Sequence, residues 1–115
     1  MVTLTTQMKM WQGDFGKEYT ERNALSLQEM ESLYKRHYGI SRTEMNLKFL
    51  QNLNSSLRIL EVGCNIGNQL LCLQKIGFAN LYGIELQGYA VEISKARTKG
   101  INIIQGSAFL CHNRY

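Results

Sequence analysis

The chain has no proline, three cysteines and two histidines among its 115 residues. The lack of proline fits a helix-rich structure but excludes no fold class. Cys64, Cys72 and Cys111 are odd in number and lack C-x-x-C spacing, which argues against a disulfide framework or a zinc site and for a reducing compartment. His37 and His112 lack the spacing of metal ligands. We therefore expect no metal site.

Long apolar runs and clusters of one charge are also missing. The N-terminal stretch MVTLTTQMKMW has neither the apolar core of a signal peptide nor the length of a membrane span. The net charge of +4 comes from scattered basic residues, with Lys35 and Arg36 as the only adjacent pair, so there is no basic stripe for nucleic acid. These absences predict a cytoplasmic protein that binds neither membranes nor nucleic acid.

The first part of the chain carries the signals of helices. Two capping boxes are present, Ser26 with Glu29 and Ser41 with Glu44, and each predicts the start of a helix. The apolar face of the helix after Ser41 is expected to comprise Met45, Leu47, Phe49, Leu50 and Leu53. We interpret residues 1–54 as an N-terminal helical segment.

From residue 55 onward the pattern changes to alternating strands and helices. Strands are expected at 57–62, 80–86 and 101–105, with helices at 68–76 and 88–98 between them. The first strand, LRILEV, is a continuous apolar run typical of a strand buried on both faces. Strands separated by helices at this spacing predict a parallel sheet, and therefore an α/β fold, in residues 55–115.

The turn between the first strand and the next helix, LEVGCNIGNQ (60–69), has the composition of a ligand-binding loop. Gly63 and Gly67 can adopt dihedral angles closed to other residues, and Asn65 is the residue after glycine that best tolerates a left-handed conformation. The helix that follows would direct its N-terminal amides at a ligand. Glu85, at the end of the second strand, could accept hydrogen bonds from both hydroxyls of a ribose.

Two glycines alone are weak evidence, because many tight turns between a strand and a helix carry them for packing reasons. In that alternative the turn is an ordinary α/β connection, and Glu85 is a solvent-exposed residue at the end of a strand. A nicotinamide dinucleotide site favours G-x-G-x-x-G, which this loop lacks. Glu61, two residues before Gly63, would repel a pyrophosphate but attract the ammonium group of S-adenosylmethionine. The charges therefore favour S-adenosylmethionine as the cofactor and disfavour a fragment of an NAD-dependent oxidoreductase.

The motif ILEVGCNIGNQL, followed by LYGIEL, resembles the first two motifs of class I S-adenosylmethionine-dependent methyltransferases, with Asn65 where a glycine is common. This resemblance covers roughly residues 57–110 and implies the N-terminal half of a Rossmann-like fold with three parallel strands. The segment WQGDFGKEYTERN (11–23) is similar to the opening of methyltransferases associated with pseudaminic acid biosynthesis. That narrower resemblance implies a sugar or sugar-nucleotide intermediate of this nonulosonic acid pathway as the methyl acceptor.

The family resemblance also implies which residues contact the cofactor. They are Glu61 at the methionine moiety, Gly63, Cys64, Asn65 and Gly67 along the loop, Glu85 at the ribose, Leu86 or Gln87 beside the adenine, and Ser107 and Ala108 at the adenine amino group. Tyr19 and Arg22 are candidates for closing over the cofactor or binding substrate, with packing and surface pairing as the alternative. The helix N-terminus beside Cys64 could lower its thiol pKa, although filling a small gap is the favoured role. No catalytic base is identified.

The resemblance further implies that part of the family's fold is missing. In that fold a fourth strand lies beside the first, and later loops build the acceptor site, whereas this sequence ends shortly after its third strand. We expect a truncated, frame-disrupted or split methyltransferase whose apolar first-strand edge is exposed to self-association or to a partner chain. The alternative function is a non-catalytic binding or assembly module that pairs with a partner through this edge.

Overall fold

A computed structural model describes residues 4–22 and 25–107. The elements are, in order, α1 (Thr6–Gln12), α2 (Asp14–Arg22), α3 (Leu27–Tyr38), α4 (Arg42–Leu50), β1 (Arg58–Val62), α5 (Asn68–Lys75), β2 (Asn80–Glu85), α6 (Gly88–Arg97) and β3 (Asn102–Gln105). Ala108, Cys111 and His112 lie outside the described residues. Within the described part of the chain, no helix has the length and apolar character needed to cross a membrane.

The three strands form one parallel sheet in the order β1-β2-β3, which confirms the predicted α/β fold. In this sheet Glu61 of β1 lies opposite Gly83 of β2, and Gly83 lies opposite Ile103 of β3. All three strands run in the same direction, so their carboxyl ends meet at one edge of the sheet. Loops that follow parallel strands gather at that edge, where ligands bind in open α/β sheets.

The core lies between the sheet and the helices that connect its strands. Leu70 and Leu73 of α5 pack with Leu81 of β2, Val91 of α6 and Ile103 of β3, and all five are buried. Burial of each such side chain stabilises the fold by roughly 1.5–3 kcal/mol. Because α5 and α6 each begin directly after a loop at the carboxyl edge, this packing also fixes the positions of those loops.

The first strand differs from its prediction. LRILEV was expected to be buried on both faces, but residues in β1 alternate between exposed and half-buried, and Leu60 and Val62 are 36% and 57% exposed. Successive side chains of a strand point to opposite faces of the sheet, so the exposed residues Arg58, Leu60 and Val62 share one face, and the described residues leave that face of β1 open to solvent. In addition, β1 pairs with β2 on one side, and no described residue pairs with its other side. The apolar edge expected for a chain without the fourth strand is therefore present in the described residues.

The N-terminal helices begin where the capping boxes predict. Ser26 Oγ accepts a hydrogen bond from Glu29 N (3.1 Å), and Glu29 Oε1 accepts one from Ser26 N (3.3 Å). Helices α3 and α4 contact α5, and α2 contacts α6. The division at residue 54 stays a prediction.

The predicted apolar face of α4 is confirmed only in part. Leu50 is half-buried against the core, but Leu47 and Phe49 are exposed, and the buried residue of this helix is the polar Asn46. Asn46 exchanges two hydrogen bonds with Gln69 of α5, at 3.2 and 3.0 Å. A paired amide can be buried at little cost, so this contact decides which face of α4 turns inward.

Candidate functional site

A cleft of about 720 Å³ opens at the carboxyl edge of the sheet, within the usual size range of small-molecule sites. The loops after the strands form one side, and α1 and α2 form part of the other. The predicted site residues that line it are Tyr19, Glu61, Gly63, Cys64, Asn65, Glu85, Leu86, Gln87 and Ser107. Further lining residues include Trp11, Gly16, Tyr34, Arg42, Asn68 and Gln69.

The loop after β1 has the backbone conformation that its sequence predicts. Gly63 and Gly67 have φ angles of 74° and 85°, and Asn65 has a φ of 49°, the left-handed value expected of this residue. The amides of Gly63 and Cys64 both donate to the carbonyl of Ile84, at 2.8 and 3.2 Å. These bonds hold the loop close to the end of β2.

Glu85 links that loop to the start of α6. Its Oε1 accepts a hydrogen bond from the backbone N–H of Asn65, and its Oε2 accepts one from the backbone N–H of Gln87, each at 2.8 Å. Each carboxylate oxygen can accept a further hydrogen bond. Glu85 therefore has two structural contacts and still has acceptor capacity for hydroxyl groups of a ligand.

Glu61 supplies a second carboxylate to the cleft. Its Oε1 is buried, and no group within the described ranges 4–22 and 25–107 donates a hydrogen bond to it. Burial raises the pKa of Glu61 to about 7; the positive charge of Arg42 opposes this rise and the negative charge of Glu85 adds to it. A buried carboxylate without a partner is costly, so a cation in the cleft would stabilise its ionised form.

Two amide oxygens in the same cleft share this property. Asn65 Oδ1 and Asn68 Oδ1 are buried, and they have no hydrogen-bond partner among the residues that the structure describes. Asn68 Nδ2 donates to the carbonyl of Leu25 (3.2 Å), which fixes the orientation of that amide. Together with Glu61 Oε1, these atoms form a cluster of acceptors. Such a cluster fits a ligand that is rich in donors, such as ammonium and hydroxyl groups.

Arg42, the first residue of α4, is the cleft's guanidinium. Its Nε donates to Gln69 Oε1 (2.7 Å), its Nη1 donates to the Tyr34 hydroxyl (3.1 Å), and its guanidinium lies 5.3 Å from the centre of the Tyr34 ring. These contacts hold the positive charge near Glu61. No sequence motif points to Arg42, because its partners lie on two other helices.

The helices α1 and α2 bring an aromatic wall to the cleft. Trp11 makes edge-to-face contacts with Phe15 and Tyr19, at centroid distances of 5.1 and 5.0 Å. A Cβ atom at Gly16 would lie 1.8 Å from the carbonyl oxygen of Trp11, so only glycine allows this close approach. Tyr19 lines the cleft and also packs on Trp11, so its role over the cofactor or at the substrate stays a prediction beside the packing alternative. Arg22 is exposed at the end of α2 and is not among the lining residues.

The structure gives the environments of three further predicted residues. Gly67 is buried behind the loop, where a Cβ atom would meet Ser94 of α6 at 3.5 Å and Thr98, just after that helix, at 3.4 Å, so it serves packing and not the cleft lining. Burial raises the pKa of the Cys64 thiol to about 12, which outweighs any lowering by the helix N-terminus and agrees with the favoured role of filling a small gap. The side chain of Gln87 is directed toward α1.

No family model and no curated protein matches the chain. Among solved structures, it is similar to the crystal structure of the plantazolicin methyltransferase BpumL in complex with a monoazolic desmethylPZN analog and SAH, with a TM-score of 0.57 and 20% sequence identity. The match covers 90% of this chain and 39% of that chain. The chain thus shares the α/β fold of part of that structure.

Proposed function

We propose that this chain is the cofactor-binding part of an S-adenosylmethionine-dependent methyltransferase. The observation that carries the proposal is the cluster of buried acceptors without partners in the described structure, formed by Glu61, Asn65 and Asn68, beside the carboxylate of Glu85. The similar methyltransferase structure contains SAH (S-adenosylhomocysteine), the product of this cofactor. The acceptors of the cleft and the SAH in the similar structure therefore support the same class of ligand.

The charges of the cleft fit the groups of this cofactor. We place its ammonium at Glu61, its methionine carboxylate at Arg42 and its ribose hydroxyls at Glu85. Leu86 and Ser107 line the part of the cleft left for the adenine, and Ala108 stays a proposed contact there. The described lining contains two carboxylates and one guanidinium, a poor match for the pyrophosphate of a dinucleotide.

Bound S-adenosylmethionine would supply an activated methyl group on its sulfonium. The residues of this chain would hold and orient the cofactor and limit the access of water, which is much of what such a displacement requires. As acceptor we propose a sugar or sugar-nucleotide intermediate of nonulosonic (pseudaminic) acid biosynthesis. The support is the resemblance of residues 11–23, of which Trp11, Gly16 and Tyr19 line the cleft.

The ligand pair SAH and methylthioadenosine tests this assignment, because the second lacks the amino-acid end of the first. We expect the affinity for SAH to rise by up to about tenfold between about pH 6 and pH 8, as Glu61 ionises through its raised pKa and binds the ammonium. The affinity for methylthioadenosine should not change over this range. Calorimetric titration of both ligands at each pH measures the difference.

Two variants serve as controls for this experiment. Glu61→Gln should remove the pH dependence of the affinity for SAH. Arg42→Met should lower the affinity for SAH by about tenfold and leave the affinity for methylthioadenosine unchanged. Without ligand, the chain should lose stability as pH rises from about 4.5, the ordinary pKa of the carboxyl, to about 7, its raised pKa in the fold, because ionisation of Glu61 opposes folding. An equal pH dependence for both ligands, or an equal loss for both in Arg42→Met, would contradict the assignment.

A second candidate function is self-association through β1, favoured by the exposed apolar residues on that edge strand. A second copy could pair with its free side and cover Leu60. Sedimentation velocity should then show a concentration-dependent dimer that Leu60→Lys converts to a monomer. Phe49→Lys, which changes an exposed apolar residue of α4, is the matched control. A monomer at all concentrations, or an equal effect of both variants, would exclude this function.

A further inference from the structure

The side chain of Gln87 joins the cofactor loops to the N-terminal helices. It is 5% exposed, and its Nε2 donates to carbonyl oxygens at the corner between α1 and α2. The acceptors are the carbonyls of Trp11 (3.3 Å), Gln12 (2.9 Å) and Gly13 (2.9 Å). The two N–H groups of Nε2 are shared among these three acceptors. Carbonyls at the end of a helix lack partners within that helix, so Gln87 supplies donors to Trp11 and Gln12, whereas Gly13 O also accepts from Lys17 N (3.1 Å).

The other end of the same amide caps α6. Gln87 Oε1 accepts a hydrogen bond from the backbone N–H of Tyr89 (2.7 Å) at the start of that helix. These partners also settle the orientation of the amide, because the carbonyls require donors and the N–H requires an acceptor. The amide nitrogen and the amide oxygen of Gln87 therefore make hydrogen bonds with separate elements.

The backbone of Gln87 makes a third connection. Its N–H donates to Oε2 of Glu85, the carboxylate that we assign to the ribose hydroxyls. One residue thus contacts Glu85, the start of α6 and the α1–α2 corner. The helices that meet at this corner carry Trp11 and Tyr19, which form the aromatic wall of the cleft.

We propose that Gln87 is a positioning residue. It holds the α1–α2 corner in place as the wall of the cleft and fixes the position of this corner relative to Glu85. Its effect on ligand affinity rests on the proposed cofactor function, whereas its effect on the position of the corner does not. Gln87 therefore acts on the cofactor through Trp11 and Tyr19, in addition to the contact beside the adenine that is predicted for Leu86 or Gln87.

Replacement of Gln87 by glutamate separates its two contacts. A carboxylate can still accept from Tyr89 N, but it places negative charge against the carbonyls of α1 instead of a donor. Trp11 is the only tryptophan, and its own carbonyl is one of the acceptors, so its emission reports the position of the corner. Gln87→Asn is a second variant, since asparagine caps helices well but is too short for both contacts.

In both variants we expect red-shifted Trp11 emission without ligand, faster amide hydrogen exchange in α1 and α2, and unchanged exchange in the sheet. Calorimetry should show SAH binding weakened by about tenfold, as when a buried donor is lost from its acceptors. Gln74→Glu is the matched control, because Gln74 Nε2 also donates to a backbone carbonyl, that of Lys99 (2.6 Å), outside the cleft.

The outcomes distinguish this inference from the proposed function. If the unaltered chain does not bind SAH but Gln87→Glu still shifts the Trp11 emission, the cofactor assignment fails and the positioning role stands. If both Gln87 variants match the unaltered chain in emission, exchange and SAH affinity, the positioning role is excluded. Equal changes in Gln74→Glu, or loss of protection throughout the sheet in both Gln87 variants, would also overturn it, since the effect would then be a general one on folding.

Discussion

Replacement of Glu85 by alanine is expected to weaken SAH binding by about a hundredfold, equivalent to about 2.7 kcal/mol. The carboxylate is the proposed acceptor for the ribose hydroxyls, and hydrogen bonds to charged groups are among the stronger ones. It also accepts from the amides of Asn65 and Gln87, so its loss releases the loop after β1 and the start of α6. Calorimetric titration of SAH into both proteins measures the change.

Glu92→Ala is the control for this comparison, because Glu92 is an exposed carboxylate of α6 outside the cleft. Its affinity for SAH should equal that of the unaltered chain. Far-ultraviolet circular dichroism of Glu85→Ala should show that its helices are intact. If the folded Glu85→Ala protein binds SAH within about threefold of the original affinity, Glu85 does not contact the ligand.

Replacement of Gly83 by valine should strongly destabilise the sheet beside the cleft. A Cβ atom at this position would lie 2.7 Å from Cys64 Sγ and 2.8 Å from Cδ1 of both Leu70 and Ile103. Overpacking of a dense core costs about 1–3 kcal/mol, and valine adds two further methyl groups. We therefore expect the melting temperature to fall by roughly 10–20 °C, measured by thermal denaturation.

Asn102→Val is the matched control for this substitution, because Asn102 is an exposed residue of the neighbouring strand β3. A surface change of this kind should alter stability by no more than about 0.5 kcal/mol. Since the added side chain at Gly83 would also displace Cys64, SAH binding should weaken together with stability. An unchanged melting temperature in Gly83→Val would mean that the described packing around β2 is wrong.

The parts of this protein that are encoded locally could be predicted from its sequence. Capping residues and glycines mark where helices begin and end, and the alternation of strands and helices predicts a parallel sheet. The left-handed backbone conformation of Asn65 could also be predicted, from its residue type and its place between two glycines of the loop. The exposure of β1 could not, because an apolar run looks the same whether or not other elements pack on both faces of the strand. Its exposure depends on the face that the described residues leave uncovered.

The rest of the site depends on contacts between distant parts of the chain. Arg42 lies near Glu61 because Gln69 and Tyr34 hold it there, and no local pattern records those partners. Gln87 similarly contacts the α1 carbonyls 74 to 76 positions away. At Cys64 a local pattern misleads. Its position beside a helix N-terminus favours a lowered thiol pKa, but burial among distant parts of the chain raises that pKa.

Residue-resolved spectroscopy tests the central claim most directly. SAH should be titrated into the isotopically labelled chain while proton–nitrogen correlation spectra are recorded. The proposed site predicts saturable shifts at the amides of Gly63, Asn65 and Gln87, and none at Gly77 and Gly100, which precede β2 and β3 at the opposite edge of the sheet. NAD should cause no such shifts. A folded chain whose cleft amides do not respond to SAH, or respond equally to NAD, would contradict the account.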